Sequence, residues 1–402
     1  MYHARPIRSL LVMALALVGP AALSAHAGTH ISAVGLRRST AVRVCPQPSD
    51  QSHTACLAMM RTDVKPVPSL PQGRNPAGLG PSDIRSAYNL FGRHGEGRTV
   101  AITVAFHDPH LESDLAVYRR RFSLPPCTKA NGCLRVVNQR GGTVLPSAVD
   151  PVWSFEESID VDTVSAACSD CHILVVENDS ALFSDQIAGI DQAVALGTKF
   201  INSSWFVPET SIERDFDFHF SGHPGVAFTF ASGDTGGVPV YRSVSPYVTS
   251  VGGTTLSRAN NRRGWAETAW SGTGCGCSRY EPKPPFQHDT ICPAKRTTVD
   301  VSAVADPATG LAVYDSVPIN SGASGWFIAG GTSVSSPLLA AMYALAGNPA
   351  PGTYPNSYPY ARPQAFNDII TGHAGPYSAG PGYDAPTGIG TPDGVDGLRP
   401  GS

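Results

Sequence analysis

Ser333 stands in the stretch Gly330-Gly331-Thr332-Ser333-Val334-Ser335-Ser336-Pro337, where a Gly-rich turn gives way to the apolar run SVSSPLLAAMYALAG. That setting suits a hydrolytic nucleophile, because a hydroxyl at a helix N-terminus has the helix dipole facing the carbonyl it attacks. Far upstream, Glu156-Glu157-Ser158-Ile159-Asp160 places two carboxylates four residues apart. On a helix these share one face, so that one can touch the serine while the other orients it. A third carboxyl, Asp234, follows the apolar stretch GVAFTFA within Ser232-Gly233-Asp234-Thr235-Gly236-Gly237. Kept neutral by burial or by neighbouring negative charge, it could donate a hydrogen bond to an oxyanion. Glu156 must be ionised to act as a base and Asp234 protonated to act as a donor. With ordinary carboxyl pKa values near 4, both hold only in acid, which predicts maximal activity at roughly pH 3–5. The chemistry these residues offer is serine peptide hydrolysis with a carboxylate as general base.

Each motif also has an ordinary structural reading. Gly-Thr-Ser can start a helix, an acidic pair can be a solvated first turn, and Ser-Gly-Asp-Thr-Gly-Gly is common turn composition. Their occurrence together, in this order, favours the catalytic reading.

The segments around these motifs alternate between strand and helix. DIRSAYNLFG from Asp83 reads as a helix, RTVAITVAF as a buried strand, LESDLAVYRRRF as a helix, and ILVVEN, KFINSSW and GVAFTFAS as further strands. DQIAGIDQAVALG is apolar at Ile187, Ile190 and Val194 and closes on Gly197, the pattern of an amphipathic helix with a glycine C-cap. Strand, helix, strand in succession implies right-handed crossovers and an α/β architecture with a mostly parallel sheet. Active groups then collect at the carboxyl ends of the strands.

The rest of the chain fits an exported enzyme. Arg5 and Arg8 precede the apolar run Ser9–Leu23, and Ala25-His26-Ala27 matches a small-x-small cleavage site, so residues 1–27 read as a signal peptide. The run is too short to span a bilayer, and no other stretch is a transmembrane candidate. Residues 28–75, ending in the Pro-rich linker KPVPSLPQGRNPAG, read as a short extension or pro-segment with little core of its own, ahead of a catalytic domain over 76–402. The formal net charge of −3 and 15% charged residues, with no basic stripe, speak against nucleic acid. Polypeptide is the expected partner and a monomer the expected state.

Nine cysteines fall in local groups: Cys45 with Cys56, Cys127 with Cys133, Cys168 with Cys171, and Cys275, Cys277 and Cys292. After a signal peptide these read as short-loop disulfides. In the last group Cys277–Cys292 is the preferred bridge, with Cys275 left over and other pairings open. Cys168-x-x-Cys171 has zinc spacing as a competing reading, but no second pair or histidine accompanies it.

Taken in order, Glu156-x-x-x-Asp160, Ser232-Gly233-Asp234 and Gly330-Gly331-Thr332-Ser333-x-x-x-Pro337 resemble the sedolisins, the serine-carboxyl peptidases. The likeness runs from about Gly80 to the C-terminus and includes SAYNL, VSAACSDCHILVVE and the PDGV ending. It implies a subtilisin-like α/β fold, its mostly parallel central sheet flanked by helices, here with disulfide-bridged loops. It also implies acid endopeptidase activity, with Ser333 as nucleophile, Glu156 as base, Asp160 as the base's partner and Asp234 as oxyanion donor. The segments around Phe366-Asn367-Asp368-Ile369-Ile370 and Gly380-Pro381-Gly382-Tyr383-Asp384 are similar to the family's calcium site. By that match Asp368 and Asp384 would be side-chain ligands of one structural Ca²⁺, and Ile369, Gly380 and Gly382 carbonyl ligands. The chain departs from the family in the shortness of its N-terminal extension, for which cleavage near residues 70–80 is expected.

Two alternatives compete. A subtilisin-type Asp-His-Ser peptidase shares the serine motif, and AITVAFHD does put Asp108 at a strand end, yet no His-Gly-Thr follows it and His94-Gly95 precedes it. His107, His219 and His223 read as partly buried or surface histidines. An inactive secreted binding protein on a peptidase scaffold would be marked by loss of a catalytic group, and all four are present. Trp205 reads either as core or as a border of the specificity pocket.

Overall fold

A computed structural model describes residues 40–48, 50–95, 97–319 and 321–401. The expected signal peptide and the first part of the extension lie outside the described residues.

The chain opens with three short strands, β1 (Ala41–Arg43), β2 (Ala55–Cys56) and β3 (Met59–Arg61), and helix α1 (Pro81–Ala87). The helix expected from Asp83 to Gly92 is therefore shorter and starts earlier; Pro81 opens it, and Asn89, at a φ of 53°, lies beyond its end in a left-handed conformation. The alternating region comprises β4 (Thr99–Ala105), α2 (Leu111–Arg121), β5 (Leu134–Asn138), α3 (Pro151–Ala167), β6 (His172–Asn178), α4 (Phe183–Ala195) and β7 (Phe200–Ser203). Then come β8 (Trp205–Phe206), α5 (Phe218–Ser221), β9 (Ala227–Ala231), β10 (Thr249–Arg258), β11 (Trp265–Ala269), β12 (Gly276–Pro282), β13 (Lys295–Thr298) and β14 (Val301–Val304). Finally β15 (Leu311–Asp315) and β16 (Gly325–Gly330) lead into α6 (Thr332–Ala346).

The central sheet runs β11-β10-β9-β7-β4-β6-β5, with β14 also paired to β10. Every pairing in it is parallel except β10 with β11, as the alternating pattern predicts. β4 lies between β6 and β7, so the chain changes side after β6 and leaves a crevice at the carboxyl ends of these strands. A second, antiparallel sheet, β1-β3-β16-β15, joins the N-terminal segment to the strand that feeds α6.

Helix α3 positions the acidic pair. Asp150 caps it, its side chain accepting from the amides of Val152 at 3.0 Å and Trp153 at 3.3 Å, and Pro151 occupies the first turn. From Val152 to Ala167 every residue is buried, because α1, α2, α6, β4 and β15 enclose the helix. It therefore has no solvated face, and its carboxyls must be satisfied from within.

The disulfides are Cys45–Cys56, Cys127–Cys133, Cys168–Cys171 and Cys277–Cys292, with Cys275 free and buried. The Cys168–Cys171 bond closes the zinc reading. Such bonds persist in oxidising compartments. No helix among the described residues is long and apolar enough to cross a membrane.

Candidate active site

Gly331 makes the turn from β16 into α6, with a φ of 90° that a residue with a side chain rarely adopts. Ser333 follows in the first turn of α6 and is wholly buried. Its hydroxyl donates to the main-chain carbonyl of Ser204 at 3.3 Å and lies beside the carboxyl of Glu156, both of whose oxygens are buried without a hydrogen-bond partner among the described residues. The amide of Ala58 borders the same carboxyl. The sequence-read nucleophile and base, 177 positions apart by number, thus meet between α6 and α3.

Asp160 lies one turn along α3. Its Oδ1 accepts from the Ser204 hydroxyl at 2.7 Å. Ser204 oxygen accepts in turn from the Asn202 side-chain amide at 3.0 Å, and Asn202 Oδ1 accepts from the Ser336 hydroxyl at 2.7 Å. A relay therefore runs from α6 through the end of β7 to Asp160. Ser204 is its central member, using its side chain toward Asp160 and its carbonyl toward Ser333. The sequence reading gave no role to Ser204, Asn202 or Ser336; the polar run NSS at the end of an apolar strand is the signal that could have found the first two.

Asp234 emerges after β9, as expected. Its Oδ1 accepts from both the amide and the hydroxyl of Thr332, each at 2.8 Å, while Oδ2 is buried without a hydrogen-bond partner among the described residues. Thr332 also ties the preceding turn, its hydroxyl accepting from the Gly233 amide at 3.2 Å. Arg43, from the N-terminal segment, donates to the Asp234 carbonyl at 3.1 Å. The carboxyl is fixed at one oxygen and leaves the other directed into the site.

Burial sets the electrostatics. It pushes Glu156 well above the usual carboxyl range, with the charges of Asp160 and Asp234 adding to the shift and the Ser333 hydroxyl opposing it. Asp160 is pushed up by burial too, against the donors Ser204 and Asn202. Two adjoining buried carboxyls release their protons in two steps, and one charge on the pair is the natural state between them. Burial raises Asp234 to about 6, so that it is protonated in acid. Oδ2 can then donate.

The candidate calcium residues also converge. Asp368 Oδ2 accepts from the Gly382 amide and Asp384 Oδ2 from the Gly380 amide, both at 2.9 Å, and Asp384 Oδ1 accepts from Thr387. Burial raises Asp384 to about 6, with a smaller contribution from the charge of Asp368. Gly382 needs its glycine for a φ of 81°, whereas a side chain at Gly380 would meet open space. No trio of His, Cys, Asp or Glu gathers around a metal position among the described residues, so only two carboxylates are available here and main-chain oxygen would complete a calcium shell.

Asp108 does not reach the serine. It caps the turn before α2, accepting from the His110 amide at 2.8 Å, while His94 pairs with Asp170 at 3.3 Å on the surface. His107 bonds Glu177 at 2.7 Å and His219 bonds Asp191 at 2.8 Å. Trp205 is core: its indole donates to the Thr103 carbonyl at 3.1 Å.

No family model matches the chain. Among curated proteins it is 28% identical to kumamolisin of Bacillus sp. (strain MN-32) over 366 residues, covering 81% of this chain and 64% of the relative. It is 31% identical to sedolisin of Pseudomonas sp. (strain 101) over 286 residues, covering 60% of this chain and 47% of the relative. Tripeptidyl-peptidase 1 of Canis lupus familiaris is 26% identical over 378 residues, covering 79% of this chain and 63% of that protein. The chain thus spans between about half and two-thirds of the length of these relatives. In fold it is similar to the solved Pseudomonas sedolisin, a serine-carboxyl proteinase in complex with two molecules of pseudo-iodotyrostatin, with a TM-score of 0.68 and 24% identity over 80% of this chain and 96% of that one. In its ordered motifs, in the parallel sheet that carries them and in these likenesses the chain is similar to the sedolisins.

Proposed function

We propose that this chain is a secreted, acid-active serine endopeptidase. The observation that carries the reading is the meeting of Ser333 with Glu156, backed by Asp160 and faced by the free oxygen of Asp234. Glu156 takes the Ser333 proton as the hydroxyl adds to a peptide carbonyl. Asp160, held by Ser204, orients Glu156 and spreads the charge of the pair. Protonated Asp234 donates from Oδ2 to the oxyanion. The leaving amine takes the proton back from Glu156, and water then releases the acyl group by the same path. An endopeptidase is favoured because a chain can pass through the site in both directions, as residues 55–61 do between β8 and β16. Asp368 and Asp384, with the carbonyls of Ile369, Gly380 and Gly382, fit one structural Ca²⁺, which would tie down the C-terminal loops and take no part in the chemistry.

The deciding experiment is a pH profile for cleavage of a denatured protein by acid-incubated wild type, Ser333→Ala and Glu156→Gln. Each substitution should cost several orders of magnitude in kcat. A loss confined to KM would make Glu156 a binding residue and overturn the proposal.

A further inference from the structure

A second cleft opens at the other end of the central sheet, where its parallel strands begin. Its volume is about 440 Å³, within the range of small-molecule sites. Arg98, Arg135, His172 and Lys199 line it, together with Thr99 and Asn348. Arg98 stands just before β4, Arg135 is second in β5, His172 is first in β6 and Lys199 stands just before β7. Ser204 and Asp234, by contrast, lie past the carboxyl ends of β7 and β9. A strand of seven residues such as β6, at about 3.3 Å per residue, separates the two ends by roughly 20 Å. The two sites share a sheet and no residue.

Register lines the basic groups up. Strands β5, β6, β4 and β7 are neighbours in that order. His172 is opposite Thr99, and Arg135 is opposite Leu174, two residues on from His172, so side-chain alternation puts Arg135, His172 and Thr99 on one face. Val100 is opposite Phe200, which brings Lys199 level with Thr99. With strands about 4.8 Å apart, the row across four of them is roughly 15 Å long. No basic stripe shows in the sequence because the members of this row come from four separate segments.

The row also lacks a counter-charge. Among the described residues no aspartate or glutamate lines the cleft, and none of Arg98, Arg135, His172 and Lys199 belongs to an ion pair. Arg98 is held instead by the His94 carbonyl, to which Nη1 donates at 3.3 Å. In a chain whose formal net charge is −3, this is a local concentration of positive charge that repels itself until an anion enters. The rim is open as well: at Gly97, Gly132 and Gly197 a side chain would meet empty space, so the main chain there is bare to a ligand.

Arginine forks grip phosphate oxygens two bonds at a time, and lysine adds a point charge. One phosphate group can engage only part of a row this long, whereas several in a line can engage all of it. We propose that this cleft binds a small linear polyanion of the polyphosphate class, at a site separate from peptide hydrolysis. Its occupant would join the starts of four strands and stabilise the fold as its concentration exceeds Kd.

The test is calorimetric titration of inorganic triphosphate into the full chain carrying Ser333→Ala, which keeps it intact, in a cationic buffer at pH 6. One triphosphate should bind per chain, and orthophosphate should bind about tenfold more weakly or less. Adding Arg135→Ala with Lys199→Ala should weaken triphosphate about a hundredfold, each lost charge-assisted contact costing about tenfold. The charge-keeping exchange Arg135→Lys with Lys199→Arg should stay within about fivefold, which separates lost contacts from lost folding. Arg120→Ala with Arg262→Ala removes the same charge from exposed positions outside the cleft and should change binding less than about twofold. Heat from any metal that triphosphate strips is common to all variants and cancels in their comparison. Absence of saturable binding, or binding that survives loss of Arg135 and Lys199, overturns the site. Binding of a single-stranded oligonucleotide that depends on the same two residues, with none of triphosphate, overturns the ligand class in favour of nucleic acid. None of these outcomes depends on the peptidase reading.

Discussion

The carbonyl of Ser204 accepts from the Ser333 hydroxyl at 3.3 Å while the hydroxyl of Ser204 donates to Asp160 at 2.7 Å, so one residue ties the candidate nucleophile to the partner of its base. Ser204→Ala keeps the carbonyl and removes only the donor. A carboxylate that loses a donor becomes harder to ionise, so the Glu156–Asp160 pair should release its first proton at higher pH. The acid limb of kcat should move upward and its maximum fall by about tenfold to a hundredfold, with KM little changed. A profile that merely scales down, with its acid limb in place, would reduce Ser204 to a packing role.

Under the proposed mechanism Asp234 should set the opposite limb. Burial holds it at about 6, and only its neutral form can donate from Oδ2 to an oxyanion. Activity should therefore fall as pH rises through about 6. Asp234→Asn supplies a donor that does not titrate and should abolish that limb, whereas Asp234→Ala should cost roughly 10²–10³ in kcat at every pH. Persistence of the same alkaline limb in Asp234→Asn would assign it to another group.

Ser333, Glu156, Asp160 and Asp234 were legible because each is a chemically distinctive side chain in a local motif, on elements whose periodicity was plain. Ser204 and the segment over the cleft act through main-chain atoms and pairings made at long range, which leave little trace in side-chain type. Residues 55–60, Ala-Cys-Leu-Ala-Met-Met, form an unbroken apolar run inside a stretch that reads as a polar extension. That run is the signal of a buried strand, yet β2 and β3 are too short to show a period. The second sheet was illegible for the same reason: β1 and β3 gain their order only by docking on β16. The cysteine pairs, by contrast, were readable from spacing because each closes a short loop.

A second group of acids adjoins α3, where Glu157, Glu177, Asp108 and Asp315 act on one another, and among the described residues His107 is the one side chain in an ion pair with a member of the group. Burial raises Asp108 to about 6 and both Glu177 and Asp315 to about 8. These groups hold their protons in the folded state at pH values where the unfolded chain has lost them. Folding therefore binds protons above about pH 4, and stability must fall as pH rises from there through 6 and 8. Tm should be highest near pH 4 to 5 and several degrees lower at pH 8. An unchanged or higher Tm at pH 8 would mean that these carboxyls ionise without cost.

The carboxylates of Asp368 and Asp384, both bonded to amides of the 380–382 loop, should make the C-terminal loops depend on a divalent cation. Excess chelator should lower Tm by several degrees, and calcium should restore it more fully than magnesium, which requires a tighter octahedral shell. Asp384→Asn should abolish the response. A melting curve unmoved by chelator would remove the ion from the proposal.

Arg242 is wholly buried, with its guanidinium 3.3 Å from the centre of the Trp205 ring and no hydrogen-bond partner on any of its nitrogens among the described residues. Phe183, Phe230 and Tyr241 complete an aromatic enclosure. Burial pushes its pKa well below the ordinary value. Attraction to aromatic faces returns about 2 kcal/mol for a desolvated cation, less than the several kcal/mol needed to take an ion out of water. Arg242→Met fills a similar volume with no charge and suits the same rings, so Tm should rise by several degrees. Because Trp205 is the residue opposite Cys56, loosening of this stack should appear as weaker seating of the N-terminal segment. A fall in Tm for Arg242→Met would show that the stacked cation is a net source of stability.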